Sequence, residues 1–559
     1  MAGAVLVSQP FAEMGFVDDW SYVETAFVFA RTGHLAYNGW ATAMLGWVIP
    51  WAALFIKLFG FSFTVARLST LPLSMASVYL LHASLVRFGI TPRNAMVGAL
   101  TLGLSPLFLP LASSYMTDVP GLLCILLCLY LCQRALAAQS DRTAILWLVC
   151  AALTNTAGGT VRQIAWLGTL VMVPSTAWVL RKREGVVRAA ALLWIGSVLS
   201  VLACLRWFER QPYALPEKII QGPVTGMMFG HMLAELLKTL LCLALVTLPI
   251  LIAWLPIQTS LSRSAQTRTG CILIAMAATS IVLGNRGTLE HRVMPWLGHI
   301  IGTLSIFPST GEMLGSRPVT FTLPMRVALS LLVIAAILSL VEQMMEKPWR
   351  RKYSPAATPY EALWVLGPFT ISYVAFLVPR AIYSFVYDRY LLGLMPVAIV
   401  ALLLLYQHCV AERLPAITVA TLSLFALYAI AGTHDWFALN RARMAAVAQI
   451  HASGVPVTSI QGGFDYDGWT QIEAAGYIND ARLRNPANSY RANFDLLQLP
   501  KECRLDFAKY TPAIHPEYFV VFEPMTCLAP SKYPPATYRT WLPPFRREIY
   551  IQQALTIKN

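Results

Sequence analysis

The apolar residues of this chain are gathered into runs of about 20, separated by short connectors rich in arginine and lysine. A run of that length is what an α-helix needs to cross the roughly 30 Å hydrocarbon core of a bilayer, where each backbone polar group must be satisfied inside the segment. About twelve such runs can be placed, centred near residues 75, 103, 128, 150, 171, 197, 247, 277, 335, 370, 398 and 423. Of the 559 residues 57% are apolar and only 13% charged. A water-soluble chain carries roughly 25% charged residues, so the polar coat is missing and an ordinary soluble fold is excluded. The expected fold is an all-α polytopic membrane bundle of about twelve transmembrane helices plus interfacial helices, with a small C-terminal soluble α/β domain.

The connector charges predict an orientation. Arg87 and Arg93, then Arg134 and Arg142, then Arg181, Lys182, Arg183 and Arg188, then Arg263 and Arg268, then Lys347, Arg350, Arg351 and Lys352 occupy every second connector. Cytoplasmic loops carry such an excess of positive charge. The other connectors, the N-terminal segment and the C-terminal tail are then extracytoplasmic, in a multi-pass protein of the plasma (inner) membrane. The net charge of +14 reads as topology and phosphate contact. The basic residues lie between apolar runs and not on one face interleaved with aromatics, so no nucleic-acid partner is expected.

Three regions follow. Residues 1–60 form an external N-terminal segment with interfacial helices, 61–432 the bundle, and 433–559 an extracytoplasmic soluble domain. Residues 19–32 read as an amphipathic helix capped by Asp18 or Asp19 and stopped by Gly33. The stretch from Trp40 to Gly60, broken by Pro50 and rich in tryptophan, reads as a helix lying in the interface plane. No signal peptide is expected, because Gln9, Pro10 and Glu13 interrupt the first apolar residues. Cys124, Cys128 and Cys132 recur at helical spacing and read as packing residues. A disulfide between Cys503 and Cys527 suits an oxidising compartment.

Two acidic constellations stand out from this apolar background. Gly15-Phe16-Val17-Asp18-Asp19-Trp20-Ser21-Tyr22 sets adjacent carboxylates just before a helix, and Ser113-Ser114-Tyr115-Met116-Thr117-Asp118-Val119-Pro120 sets another between two apolar runs. Capping accounts for one acid at each place. It leaves the second acid of the first pair unexplained.

With Gly33-His34-Leu35, Tyr37-Asn38-Gly39 and Ala66-Arg67-Leu68 between those constellations, the chain resembles the GT-C class of integral membrane glycosyltransferases. It is similar to bacterial relatives of dolichyl-phosphate-mannose protein mannosyltransferases and of the enzymes that add aminoarabinose to lipid A. The resemblance covers about residues 15 to 430. It implies transfer of a sugar from a polyprenyl-phosphate donor to an acceptor hydroxyl of a lipid, glycan or protein, on the extracytoplasmic side and with inversion. On that basis Asp18 is the expected general base, Asp19 orients it or binds sugar or metal, and Asp118 binds the acceptor or shares in a metal site. Repulsion between the adjacent carboxylates would raise one pKa. The leaving lipid phosphate calls for arginine: Arg389 first, then Arg162 and Arg292, with Tyr22, His291 and Tyr390 as further substrate contacts. Gly158-Gly159 could let backbone approach phosphate. Similar proteins place a transmembrane helix before the acidic pair, whereas seventeen residues precede it here; either the start is truncated or misassigned, or the protein does without that helix, and the second alternative predicts a weakly anchored base.

No cofactor is expected. Asp18, Asp19, Asp118 and His291 would make an oxygen-rich set for a divalent ion, but no local ligand spacing supports one. The competing classes are a lipid or sugar transporter or flippase, which calls for acids near span centres whereas the acids here fall at loop edges, and a surface-glycan polymerase or ligase built on large external loops. The stretches Thr433-His434-Asp435-Trp436 and Gln461 to Trp469 hold aromatic and amide groups suited to sugars, or simply to turns.

Overall fold

A computed structural model describes residues 1–217, 222–284, 296–308, 312–346, 359–492 and 500–555. Among them eight helices are long and apolar enough to cross a membrane: Phe63–Arg87, Asp118–Leu136, Asp141–Val161, Val186–Glu209, Gly226–Val246, Leu323–Glu346, Glu361–Tyr383 and Ala416–His451. The expected total of about twelve is reached only by adding four lesser segments. These are the broken pair Pro92–Gly103 and Phe108–Ala112, the shorter Gln163–Val179 and Met395–Cys409, and Arg263–Gly284. The outer faces are apolar: Leu192 and Leu199 on Val186–Glu209 expose 71% and 62% of their surface, which only lipid can solvate at no cost.

Each helical hairpin separates arginine-rich turns from the acidic residues. Asp118 opens its helix, and Arg134 lies in the last turn. Asp141–Val161 returns to deliver Arg162 at its C-cap. The bundle therefore has a basic end and, opposite it, the end that carries Asp118 and Arg162. The connector with Lys347, Arg350, Arg351 and Lys352 lies outside the described residues.

The N-terminal helix spans Asp19–Thr32 and stops at Gly33, whose φ of 72° is left-handed. Asp18 occupies the cap position but makes no capping hydrogen bond, which leaves its carboxylate for other partners. The tryptophan-rich stretch forms the helix Val48–Phe59. Its 12 residues span about 18 Å, too short to cross.

Helix Ala416–His451 runs unbroken for 36 residues, so the expected boundary at residue 433 falls within a helix and not between two elements. Beyond it lies a sheet in the order Ile460–Gln461, Tyr518–Val521, Arg546–Ala554, Leu528–Pro530, with Ala536–Arg539 also pairing to Arg546–Ala554. Cys503 and Cys527 are joined. The helix Phe464–Ala475 docks this part onto the N-terminal segment through a ring cluster. Fully buried Trp20 lies 5.7 Å from Trp40, 5.9 Å from Phe464 and 6.4 Å from Phe507. Such aromatic pairs contribute about 1 kcal/mol each beyond their buried area.

Gly468 is the tight point of that docking, since a Cβ there would stand 2.7 Å from the Trp20 ring. Gly468→Ala is therefore expected to destabilise the protein by about 1–3 kcal/mol, read as a lowered Tm in detergent. Gly196→Ala, at a helical position with nothing within 4 Å, should leave the Tm unchanged or slightly raised.

Candidate active site

Asp19 is wholly buried and its oxygens are fully engaged. They accept hydrogen bonds from the Phe16 amide at 2.5 Å, the Tyr115 amide at 3.1 Å and Arg67 Nε at 3.2 Å. Arg67 then donates to the carbonyls of Ala12 and Met14. One ion pair thus fastens the residues before Asp18, the start of the first span and the Tyr115 loop that leads to Asp118. The weak anchoring expected of the acidic pair is corrected by this. Burial raises the Asp19 pKa, against the pull of Arg67 and the two amides; desolvation, not repulsion by Asp18, is the cause. No face of Asp19 is left for sugar or metal.

Asp18 keeps 16% of its side chain exposed, whereas Asp118 keeps 1%. Oδ1 of Asp18 accepts from Trp40 Nε1 at 2.9 Å, and Oδ2 accepts from Arg389 Nη1 at 3.3 Å. The same Arg389 nitrogen is 4.0 Å from Asp118, whose other oxygen is 2.9 Å from Arg162 Nη2. The site is a chain of alternating charge: Asp18, Arg389, Asp118, Arg162. Arg162 approaches Asp118 off the hydrogen-bonding direction, so neither Asp118 oxygen has a well-aligned donor, and a buried carboxylate in that state attracts hydroxyl donors. Gly121 permits the approach: a Cβ there would be 2.8 Å from Arg162 Cβ.

Arg389 is held from behind. Asp388 is wholly buried and accepts from the amides of Ile300, Ile301 and Arg389. Burial pushes its pKa up to about 6, against those three donors. Burial alone would lower the Arg389 pKa, but Asp118 and Asp18 raise it above the usual range. Tyr390 acts as a spacer among cations, its ring 5.2 Å from the Arg162 guanidinium, 5.5 Å from that of Arg380 and 5.8 Å from that of Arg389. The Tyr22 hydroxyl feels both carboxylates and both arginines, and burial above all keeps it protonated and able to donate.

Arg292 and His291 lie outside the described residues. The histidine that the structure does bring to this place is His299, whose ring is 4.4 Å from that of Tyr387. Burial, then Arg389 and Arg162, hold it neutral. Sequence reasoning missed His299, and it read Trp40 only as an interfacial aromatic. Gly158 and Gly159 make room for Cys124 and Trp166, so the suggested phosphate contact is corrected to helix packing. In the C-terminal part Asp465 is clamped by Arg443 through two 2.5 Å bonds, and Asp467 accepts from the Gly462 amide; those groups are structural. Glu235 corrects the expectation that acids avoid the spans. It lies inside Gly226–Val246, buried, bonded to Lys238 at 2.7 Å and to the Val386 amide at 3.4 Å, so it braces the loop that carries Arg389. Among the described residues no three His, Cys, Asp or Glu side chains converge as a metal site would need.

Two crystal structures are similar to this chain: ArnT from Cupriavidus metallidurans in the apo state, and ArnT from Cupriavidus metallidurans bound to undecaprenyl phosphate. Their TM-scores are 0.37 and 0.38, each at 14% identity over 82% of this chain and 80% of that chain. No protein-family model and no curated protein matches the chain.

Glu312, whose backbone carbonyl accepts from the Phe464 amide at 2.8 Å, lies in the same electrostatic field. Burial pushes its pKa from 4.5 up to about 8, Asp465 and Asp18 adding to the rise while Arg317 and Arg443 oppose it. The folded state therefore favours the protonated acid, a contribution fully present below pH 4.5 and lost as the pH rises through about 8. Glu312→Gln should melt with wild type near pH 4.5 and above it at pH 9, the gap widening with pH. A gap that does not change with pH would contradict the assignment.

Proposed function

We propose that this is a membrane glycosyltransferase that moves a sugar from a polyprenyl-phosphate donor to an acceptor hydroxyl at the end of the bundle opposite its basic turns. The observation that carries the reading is the alternating row Asp18, Arg389, Asp118 and Arg162, set at the mouth of an apolar bundle. A carboxylate that takes a proton and guanidinium groups that receive a departing phosphate are the two things such a transfer requires. The order of the acidic loops, which resembles GT-C enzymes, supports the same reading. That end of the bundle is extracytoplasmic in this proposal, supported by the basic connectors at the other end and by the bond between Cys503 and Cys527.

The geometry suggests how the base is released. The crevice bordered by Asp118, Arg162, Tyr373 and Arg389 holds only about 10 Å³ of free space, room for one water at most, so a substrate must displace guanidinium groups. Arg389 is paired with Asp18. An arriving lipid phosphate competes for Arg389 and frees the carboxylate. Asp18, oriented by Trp40, then takes the acceptor's proton as the oxygen attacks the anomeric carbon from the side opposite the phosphate, which inverts it. Arg389 and Arg162 gather the charge that builds on the departing phosphate oxygen, and Tyr22 and His299 supply neutral hydrogen-bonding groups beside it. Asp118, short of aligned donors, takes a sugar or acceptor hydroxyl. Asp19 positions and does not react.

A transporter would place exchangeable charge at mid-span. Glu235 is the acid at such a position, but its oxygens are held by Lys238 and Val386.

Asp18→Asn should lower kcat by about 100-fold or more with expression and Tm intact, measured as consumption of lipid-linked sugar by mass spectrometry of membranes. Arg389→Lys should raise the donor KM more than it lowers kcat, because a point charge replaces a fork. Wild-type turnover in the Asp18 variant would remove the base.

A further inference from the structure

Helix Ala416–His451 presents one stripe that changes character along its length. Leu424 and Leu427 expose 64% and 66% of their surface to lipid. Further along the same stripe His434, Ala438 and Arg441 face the strand Ala536–Arg539 and Trp541 across an open cleft of about 430 Å³. At 1.5 Å per residue His434 stands about 27 Å from Ala416, close to the full thickness of a hydrocarbon core of roughly 30 Å. The cleft therefore opens at the level of the lipid headgroups.

The turn that joins Ala536–Arg539 to Arg546–Ala554 is braced at that level. The Trp541 and Leu542 amides donate to the Asp435 carboxylate at 2.6 and 2.9 Å, and Trp541 stacks on His434 at 4.0 Å. Thr540 donates to the Leu542 and Pro544 carbonyls, and Arg547 to that of Pro543. A turn so firmly held still exposes 43% of Trp541 and 64% of Phe545. Aromatic rings of this kind are at home in the interfacial layer.

The charges beside the tip are unbalanced. Arg539 and Arg546 lie directly opposite each other on paired strands, an arrangement in which like charges repel. Arg441 lines the cleft with Arg539 and donates to the Gln9 carbonyl at 2.8 Å. Among the described residues none of the three arginines forms an ion pair with a carboxylate. An anion placed between them would relieve the repulsion, and the apolar tip alongside selects one that carries acyl chains.

We propose that this cleft binds the phosphate of an anionic phospholipid, with Trp541 and Phe545 seated in the headgroup layer. The site is separate from the Asp18 centre and does not depend on the transferase reading.

Native mass spectrometry of the full-length protein in detergent tests this, with phosphatidylglycerol as the probe, phosphatidylcholine as the zwitterionic reference and inorganic phosphate as competitor. Arg539→Gln with Arg546→Gln should weaken the tightest phosphatidylglycerol site by roughly 30-fold, whereas lysine at both positions should retain it. Trp541→Ala with Phe545→Ala should also weaken it, and this pair decides the matter if the glutamine pair fails to fold. Unchanged phosphatidylglycerol binding in the folded variants, equal retention of phosphatidylcholine, or full displacement by millimolar phosphate would each overturn the proposal.

Discussion

The buried pair of Asp19 and Arg67 is the interaction on which the rest of the site depends. A carboxylate with no exposure would be strongly disfavoured as an ion unless several donors met it. Here the donors come from three separate places in the chain: the Phe16 amide, the Tyr115 amide and the Arg67 side chain. Arg67 carries the connection on to Ala12 and Met14. Removing one partner from such a pair costs about 3–5 kcal/mol because the other is left uncompensated. That cost makes the relative position of the Asp18 and Asp118 segments a property of the folded state and not of either loop alone.

With the two segments fixed, the remaining charges fall into alternation. Asp18 and Asp118 share Arg389, and Asp118 also faces Arg162. Alternation stabilises the row, because each charge faces one of opposite sign. The C-terminal part contributes through packing: buried Trp20 and half-buried Trp40 lie against Phe464 and Phe507, and the same Trp40 donates to Asp18. A domain outside the membrane thereby sets the direction of the carboxylate proposed as the base.

Much of this was legible in the sequence. Apolar runs of membrane length predicted the bundle, and basic connectors predicted which ends of the helices lie together. Gly33 predicted the stop of the helix Asp19–Thr32, and its positive φ is observed. Asp18, Asp118 and Arg389 were picked out, and they meet, whereas Asp19 turns away to Arg67. The division of labour within the acidic pair was not legible, because it turns on which carboxylate Arg67 reaches from the start of the next helix, 48 positions away. Glu235 falls short of a 20-residue run centred near residue 247, but the helix that contains it begins at Gly226. His299 carried no local signal, and its place beside Tyr387 follows from amides of its own loop bonding to Asp388.

Hydropathy and charge act locally along a chain, so the sequence by itself determined that this protein carries helices of membrane length and that its basic residues gather in alternate connectors. The exposure of each carboxylate, the sharing of Arg389 between two acids and the reach of Trp40 into the site depend on contacts between residues far apart in the chain. Burial and opposed charge settle those contacts only once the helices have packed, and that is why the tertiary structure alone decided them.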